Sequence, residues 1–177
     1  MIRPLPAALV AFLVCWTSSA LAQGAAVSEY AVKSALLFKL PQFVYRPNGV
    51  RDPTLTICLL GSNPFGNALE KLAQTPIDNR PVKYQRLSSP TEASACEFIF
   101  ISRSESATLE GILRRLGNHA VVTVSDIDGF AQSGGMVELA TGGEGTAVSI
   151  LINRRAAQKN GIEFNAQLLR LAKVVEP

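Results

Sequence analysis

Few residues in this chain could do chemistry, and their spacing excludes more than it offers. His119 is the single histidine. A hydrolase needs a nucleophile, a base and an orienting acid within hydrogen-bond reach. No Gly-x-Ser-x-Gly elbow is present to supply the nucleophile. His119 therefore reads as a strand-edge residue, and no catalytic residue is expected. A zinc site takes three or four Cys, His or carboxylate ligands. One histidine and separated cysteines do not provide them, so no metal and no cofactor is expected. Asp126-Ile127-Asp128-Gly129 has the opening of a calcium loop but lacks its third acidic position and distal glutamate. It reads as a turn with Asp at capping positions.

Two glycine-bearing loops remain. Gly61-Ser62-Asn63-Pro64-Phe65-Gly66 follows an apolar run and opens a helical one. That is where an α/β sheet presents free N–H groups to a ligand. The loop is neither a Walker loop nor a dinucleotide fingerprint. Gly61, Ser62, Asn63 and Gly66 form a candidate ligand turn, or else a tight turn in which Asn63 or Ser62 caps the helix. The stretch from Ser125 to Gly135 is polar and glycine-rich, and it carries Phe130. That ring is either a plug over the core or an exposed binding residue. Arg114-Arg115 and Arg154-Arg155 are adjacent pairs whose side chains diverge by about 100° on a helix, so they read as solvated faces.

The elements that must hold these residues follow from composition and periodicity. The chain has 177 residues, 47% of them hydrophobic and 18% charged, with a formal net charge of +3. That excludes a disordered tail, and the basic residues form no run that would suit nucleic acid. Residues 1–22 read as a Sec-type signal peptide: Arg3, an apolar stretch from Ala7 to Trp16, then Ala20-Leu21-Ala22 before the cut. Cys15 falls inside that stretch. Residues 23–177 then form one domain with two cysteines, Cys58 and Cys96, in an oxidising compartment where they are expected to pair. The bond is either a staple or a redox switch.

Along the domain, Ser28 caps a helix running to about Val44, with Pro41 kinking it or ending its regular part. Val32, Leu36, Leu40 and Phe43 make its core-facing stripe. Buried strands are expected at Leu55–Leu60 and Glu97–Ile101, further strands at Val82–Leu87 and His119–Val124, and helices at Asn67–Ala73 and Ser104–Leu116. Met136–Ala140 and Ala147–Ile152 form a hairpin through Thr141–Gly145. Asn153 caps a short helix over Arg154–Lys159 that Gly161 ends. Ile162–Phe164 is an edge strand, and Ala166–Val175 a last helix. The fold class is α/β: a three-layer sandwich with a mixed, mostly parallel sheet, helices on both faces and a C-terminal hairpin. On the first helix, Tyr30, Leu37 and Phe38 point away from the stripe. They are left for a partner or a second copy, unless a neighbouring loop buries them.

These segments, in order, resemble the YfiR-type periplasmic repressors. The resemblance rests on Tyr30-Ala-Val-Lys-Ser-Ala-Leu-Leu-Phe-Lys-Leu, Leu55-Thr-Ile-Cys-Leu-Leu-Gly with Pro64-Phe-Gly, and Cys96-Glu-Phe-Ile-Phe-Ile-Ser. It continues through Val122-Thr-Val-Ser-Asp-Ile-Asp-Gly-Phe, Gly134-Gly-Met, Ile152-Asn and Leu168-Leu-Arg-Leu-Ala. It implies a non-enzymatic periplasmic regulator that binds the periplasmic sensor domain of an inner-membrane diguanylate cyclase and lowers cyclic di-GMP. It also implies a Cys58–Cys96 disulfide. The residues themselves, rather than the resemblance, make Tyr30, Leu37, Phe38 and Phe130 the candidate partner or dimer surface. Pro41 and Tyr45-Arg46-Pro47 replace the family's aromatic and Trp-Pro helix end. The second cysteine pair of some relatives is absent. The competing class is a small-solute-binding module of the periplasm.

Overall fold

Apolar runs without polar alternation make strands that are buried on both sides, and three such strands, Leu55–Leu60, Phe98–Ile101 and Val122–Ser125, form the centre of this molecule. The computed structural model describes residues 28–47, 52–117, 119–142 and 147–176. The expected signal peptide, the Asn48-Gly49 turn and the tip of the hairpin at Gly143–Gly145 lie outside them. Strands β2 (Leu55–Leu60), β3 (Val82–Leu87), β4 (Phe98–Ile101), β5 (Val122–Ser125), β6 (Val137–Thr141), β7 (Val148–Asn153) and β9 (Lys173–Val175) form one sheet. Its order is β3-β2-β4-β5-β6-β7-β9. The first five are mutually parallel, β7 returns antiparallel to β6, and β9 runs parallel to β7. A separate antiparallel ribbon pairs β1 (Val44–Tyr45) with β8 (Glu163–Phe164).

Side chains alternate across a strand, so Phe98-Ile99-Phe100-Ile101 divides between two layers. Phe98 and Phe100, with Ile57, Leu59, Val122 and Val124, face helices α1 (Glu29–Lys39), α2 (Ala68–Leu72) and α5 (Ala166–Leu171) through Leu37, Phe38, Leu69 and Leu168. Ile99, Ile101, Cys58 and Leu60 face α3 (Leu109–Leu116) and Phe130. Each fully buried Phe or Ile is worth about 1.5–3 kcal/mol. The sandwich, its mixed sheet and its C-terminal hairpin are therefore as the periodicity implied. So is the cap by Asn153 on α4 (Arg154–Lys159), where the Asn153 side chain accepts from the Ala156 N–H at 2.9 Å.

The first helix is regular only to Lys39, and Leu40–Phe43 continues as a 3-10 turn through Pro41, the end of the regular part that a proline ring implies. Four expectations change. The buried face of this helix is Lys33, Ser34, Leu37 and Phe38, not the stripe through Val32 and Leu36. The last helix stops at Leu171, and Lys173–Val175 joins the open edge of β7. The two β-branched residues there suit a strand, and β7 supplies the hydrogen bonds. His119 lies before β5 rather than in it, its N–H held by the Leu116 carbonyl at the end of α3. Ile162 is buried beside a two-residue strand that pairs outside the main sheet.

The Cys58–Cys96 disulfide is present, with Cα atoms 6.0 Å apart. Cys58 is level with Ile99 on the neighbouring strand. The 3-10 turn Pro90–Ala95 delivers Cys96 onto the α3 side of the sheet, where Cys58 also points. Departure from the sheet thus removes the stagger that straight strands would impose. The bond spans 38 residues, a loop whose closure is worth about 4 kcal/mol in the chain-entropy account.

Candidate functional site

The most buried charges sit at the carboxyl edge of the sheet. Ser125 ends β5 by donating its hydroxyl to the Ile101 carbonyl at 2.7 Å and accepting from the Ile127 N–H at 3.0 Å. That turn places Asp126, 1% exposed, beneath α1. Its Oδ2 accepts from the Tyr30 hydroxyl at 2.9 Å, from Lys33 Nζ at 3.2 Å and from Arg103 Nε at 3.2 Å. Lys33 is fully buried and also pairs with Glu29, one helical turn earlier. Glu29 in turn accepts from the Thr141 hydroxyl at 2.6 Å. Arg103 reaches outward to Asp128 at 3.2 Å. Asp126 Oδ1 is buried with no hydrogen-bond partner among the described residues. Burial, and then the hydrogen bond to Asp126, push the Tyr30 hydroxyl up to about 12. The hydrogen bonds from Lys33 and Thr141 hold the Glu29 carboxyl below its ordinary value.

This network explains the rotation of α1. An uncompensated buried charge costs several kcal/mol, so the helix turns to place Lys33 on Asp126. Leu37, one turn on, and Phe38 follow Lys33 into the core. Leu37 and Phe38 are therefore core residues, not a free surface. Tyr30 is half-buried, edge-on to Phe65 at 5.6 Å between ring centres. Phe130 is fully buried, its ring packed so closely on Gly135 that a side chain there would collide with it. It is the plug of the two readings. Sequence reasoning missed Lys33 as a site residue. The one available signal was its spacing of four from Leu37.

The candidate ligand turn is largely self-satisfied. Asn63 donates to the Gly66 carbonyl at 2.7 Å and accepts from the Phe65 N–H at 2.9 Å. The Ser62 N–H donates to Ser104 Oγ at 2.9 Å. Gly61, at φ +91°, allows that close approach; a side chain there would meet Ser104 and Glu105. Of the four residues, only Gly61 lines an adjoining cleft of about 460 Å³ between the ends of β2 and β3 and helix α3.

At the opposite, amino edge, Glu97 lies between Arg46 and Arg80, with an Arg46 contact of 3.1 Å. The same guanidinium groups donate to the carbonyls of Asp52, Thr54, Glu97 and Ala120. Cys96, in the disulfide, is its chain neighbour.

Among the described residues the large apolar side chains left exposed are Tyr45, Leu171 and Val174. They lie on β1, at the end of α5 and on β9. Tyr45 stands opposite Glu163 in the ribbon that leads into α5. No group of three metal-ligating side chains occurs among the described residues. No helix there is long and apolar enough to cross a membrane.

Residues 30–173 match the model of a family described as YfiR/HmsC-like. No curated protein matches the chain. A solved conserved domain protein from Vibrio cholerae is similar, with a TM-score of 0.57 at 12% identity, over 84% of this chain and 60% of that one. A Streptococcus pneumoniae ABC domain in complex with L-Trp gives 0.56 at 15%, over 80% and 60%. The ligand-free, open CD0873 of Clostridium difficile, a substrate binding protein with adhesive properties, gives 0.54 at 11%, over 79% and 58%. The chain spans about three fifths of the length of these structures, and the likeness is one of fold.

Proposed function

We propose, from the premise that this chain belongs to the YfiR/HmsC-like family, that it is a periplasmic regulator of a diguanylate cyclase system. In this reading it binds the periplasmic sensor domain of an inner-membrane cyclase and represses it, lowering cyclic di-GMP. It acts by contact rather than by catalysis. The family match over residues 30–173 is the observation that carries the reading. Residues 1–22 are the export signal and residues 23–177 the working domain. The disulfide suits an oxidising compartment.

A protein that acts by contact needs apolar groups its own core does not consume. With Leu37, Phe38 and Phe130 inside, that role passes to Tyr45, Leu171 and Val174. The direct experiment titrates the purified protein against the periplasmic domain of the cyclase and measures cyclic di-GMP in cells that lack it. Saturable binding and a rise in cyclic di-GMP on deletion are the expected results. Leu171→Glu should weaken binding at least tenfold with an unchanged melting temperature, since Leu171 is 73% exposed. Absence of binding together with unchanged cyclic di-GMP would reject the reading.

A further inference from the structure

The cleft between β2, β3 and α3 contains an unexplained glycine. Gly111 lies inside α3, where glycine is the poorest helix former after proline. Neither packing nor backbone conformation requires it: its dihedral lies outside the positive-φ region, and a Cβ at this position would meet nothing within 4 Å. It lines the cleft, so the missing side chain keeps that space open. Arg115, four residues on and therefore on the same helical face, also lines the cleft. It is exposed and has no ion-pair partner among the described residues. The floor is apolar, made by Leu60, Leu87 and Ile112, all buried.

At the Gly61 end the chemistry reverses. Glu105 lines the wall there. Its oxygens accept from the Ser104 hydroxyl at 3.2 Å and the Thr108 hydroxyl at 3.5 Å. Glu105 lies on the 3-10 turn that precedes α3 and Arg115 in the last turn of α3, so the two charges stand at opposite ends of the wall. The position is the one α/β sheets use for ligands, outside the carboxyl ends of parallel strands. The volume, about 460 Å³, lies in the range of small-molecule sites.

We propose that this cleft binds a small organic monoanion, its carboxylate paired with Arg115 and its apolar body on Leu60, Leu87 and Ile112. A planar guanidinium pairs with a carboxylate through two parallel hydrogen bonds. Glu105 disfavours a second negative group at the far end and so selects against dianions. This goes beyond the regulator reading and stands without it, because it concerns a surface remote from Tyr45, Leu171 and Val174.

The test follows backbone amide shifts of the purified protein in NMR titrations with three probes. These are 3-phenylpropionate, which has charge and body; 3-phenylpropanol, the same body without charge; and inorganic phosphate, charge without body. Phenylpropionate should give saturable shifts centred on Gly61, Ser88 and Ile112, with a Kd below about 1 mM. The alcohol and phosphate should bind at least tenfold more weakly. Arg115→Gln should remove the preference for the acid over the alcohol. Gly111→Leu should abolish binding without lowering the melting temperature, since leucine is the better helix former and the space is free. No saturable shift with phenylpropionate up to about 10 mM would overturn the proposal. So would wild-type binding by Gly111→Leu, or an acid preference that survives Arg115→Gln.

Discussion

The two edges of the sheet carry the same kinds of charge and use them differently. At the amino edge Glu97 and its two arginines are 13–17% exposed at their side chains. Their spare N–H groups end on carbonyl oxygens, and a disulfide begins at the neighbouring residue. At the carboxyl edge Lys33 and Asp126 are 0% and 1% exposed, and among the described residues one Asp126 oxygen has no hydrogen-bond partner and no disulfide adjoins the junction. Near water a charge that loses its partner is rescreened; in the interior it is not. The amino edge is therefore an overbuilt brace. The carboxyl edge is a single junction on which the seating of α1 depends.

The sharpest way to break that contrast is Asp126→Ala. It leaves the buried Lys33 with Glu29 as its ion-pair partner and removes the carboxylate oxygen that Lys33 and Arg103 share, and it should cost about 3–5 kcal/mol of unfolding free energy in urea titration. A loss under about 1 kcal/mol would mean that the junction is relaxed by water. Next is Cys58→Ala with Cys96→Ala, which removes the covalent part of the amino-edge brace. Chain entropy sets the expected loss at roughly 2–4 kcal/mol, with the fold retained by circular dichroism. A wild-type midpoint would show that the charges suffice there.

Glu97→Gln should cost less, about 1–2 kcal/mol, since each arginine keeps its carbonyl partners and some water. A loss equal to that of Asp126→Ala would erase the distinction between the edges. The smallest effect is a slope rather than an offset. Tyr30 is raised from its ordinary value of 10.0 to about 12 by burial and by Asp126, so the folded state favours the neutral phenol. Its contribution is complete below pH 10 and is lost as pH rises from 10 to 12. Tyr84 is also raised to about 12, by burial and then by Glu70, and titrates over the same window. The readout is therefore the difference between wild type and Tyr30→Phe: the variant should lose less stability from pH 10 to pH 12. Parallel curves would place Tyr30 outside the junction.

Much of the fold was legible because its causes are local. The boundaries of β2 follow from an apolar run ended by Gly61, and α4 from the Asn153 cap. The C-terminal strand was not legible: residues 173–175 are strand only because β7 offers an unpaired edge, a fact absent from their own neighbourhood. The candidate site divides the same way. Cys58 and Cys96 were identifiable by number and compartment. Gly61 was marked by its position after a strand, but the cleft needed α3 beside it to exist.

The sequence by itself determined the α/β class, the order of elements up to the last helix, and the disulfide. Each rests on residue type or on periodicity within a few positions. Only the tertiary structure decided which face of α1 is buried. That helix carries apolar residues on more than one side, so its own pattern leaves the rotation open. The choice is made by an ion pair between residues 93 positions apart, because a fully buried lysine must find its carboxylate wherever the chain has put it.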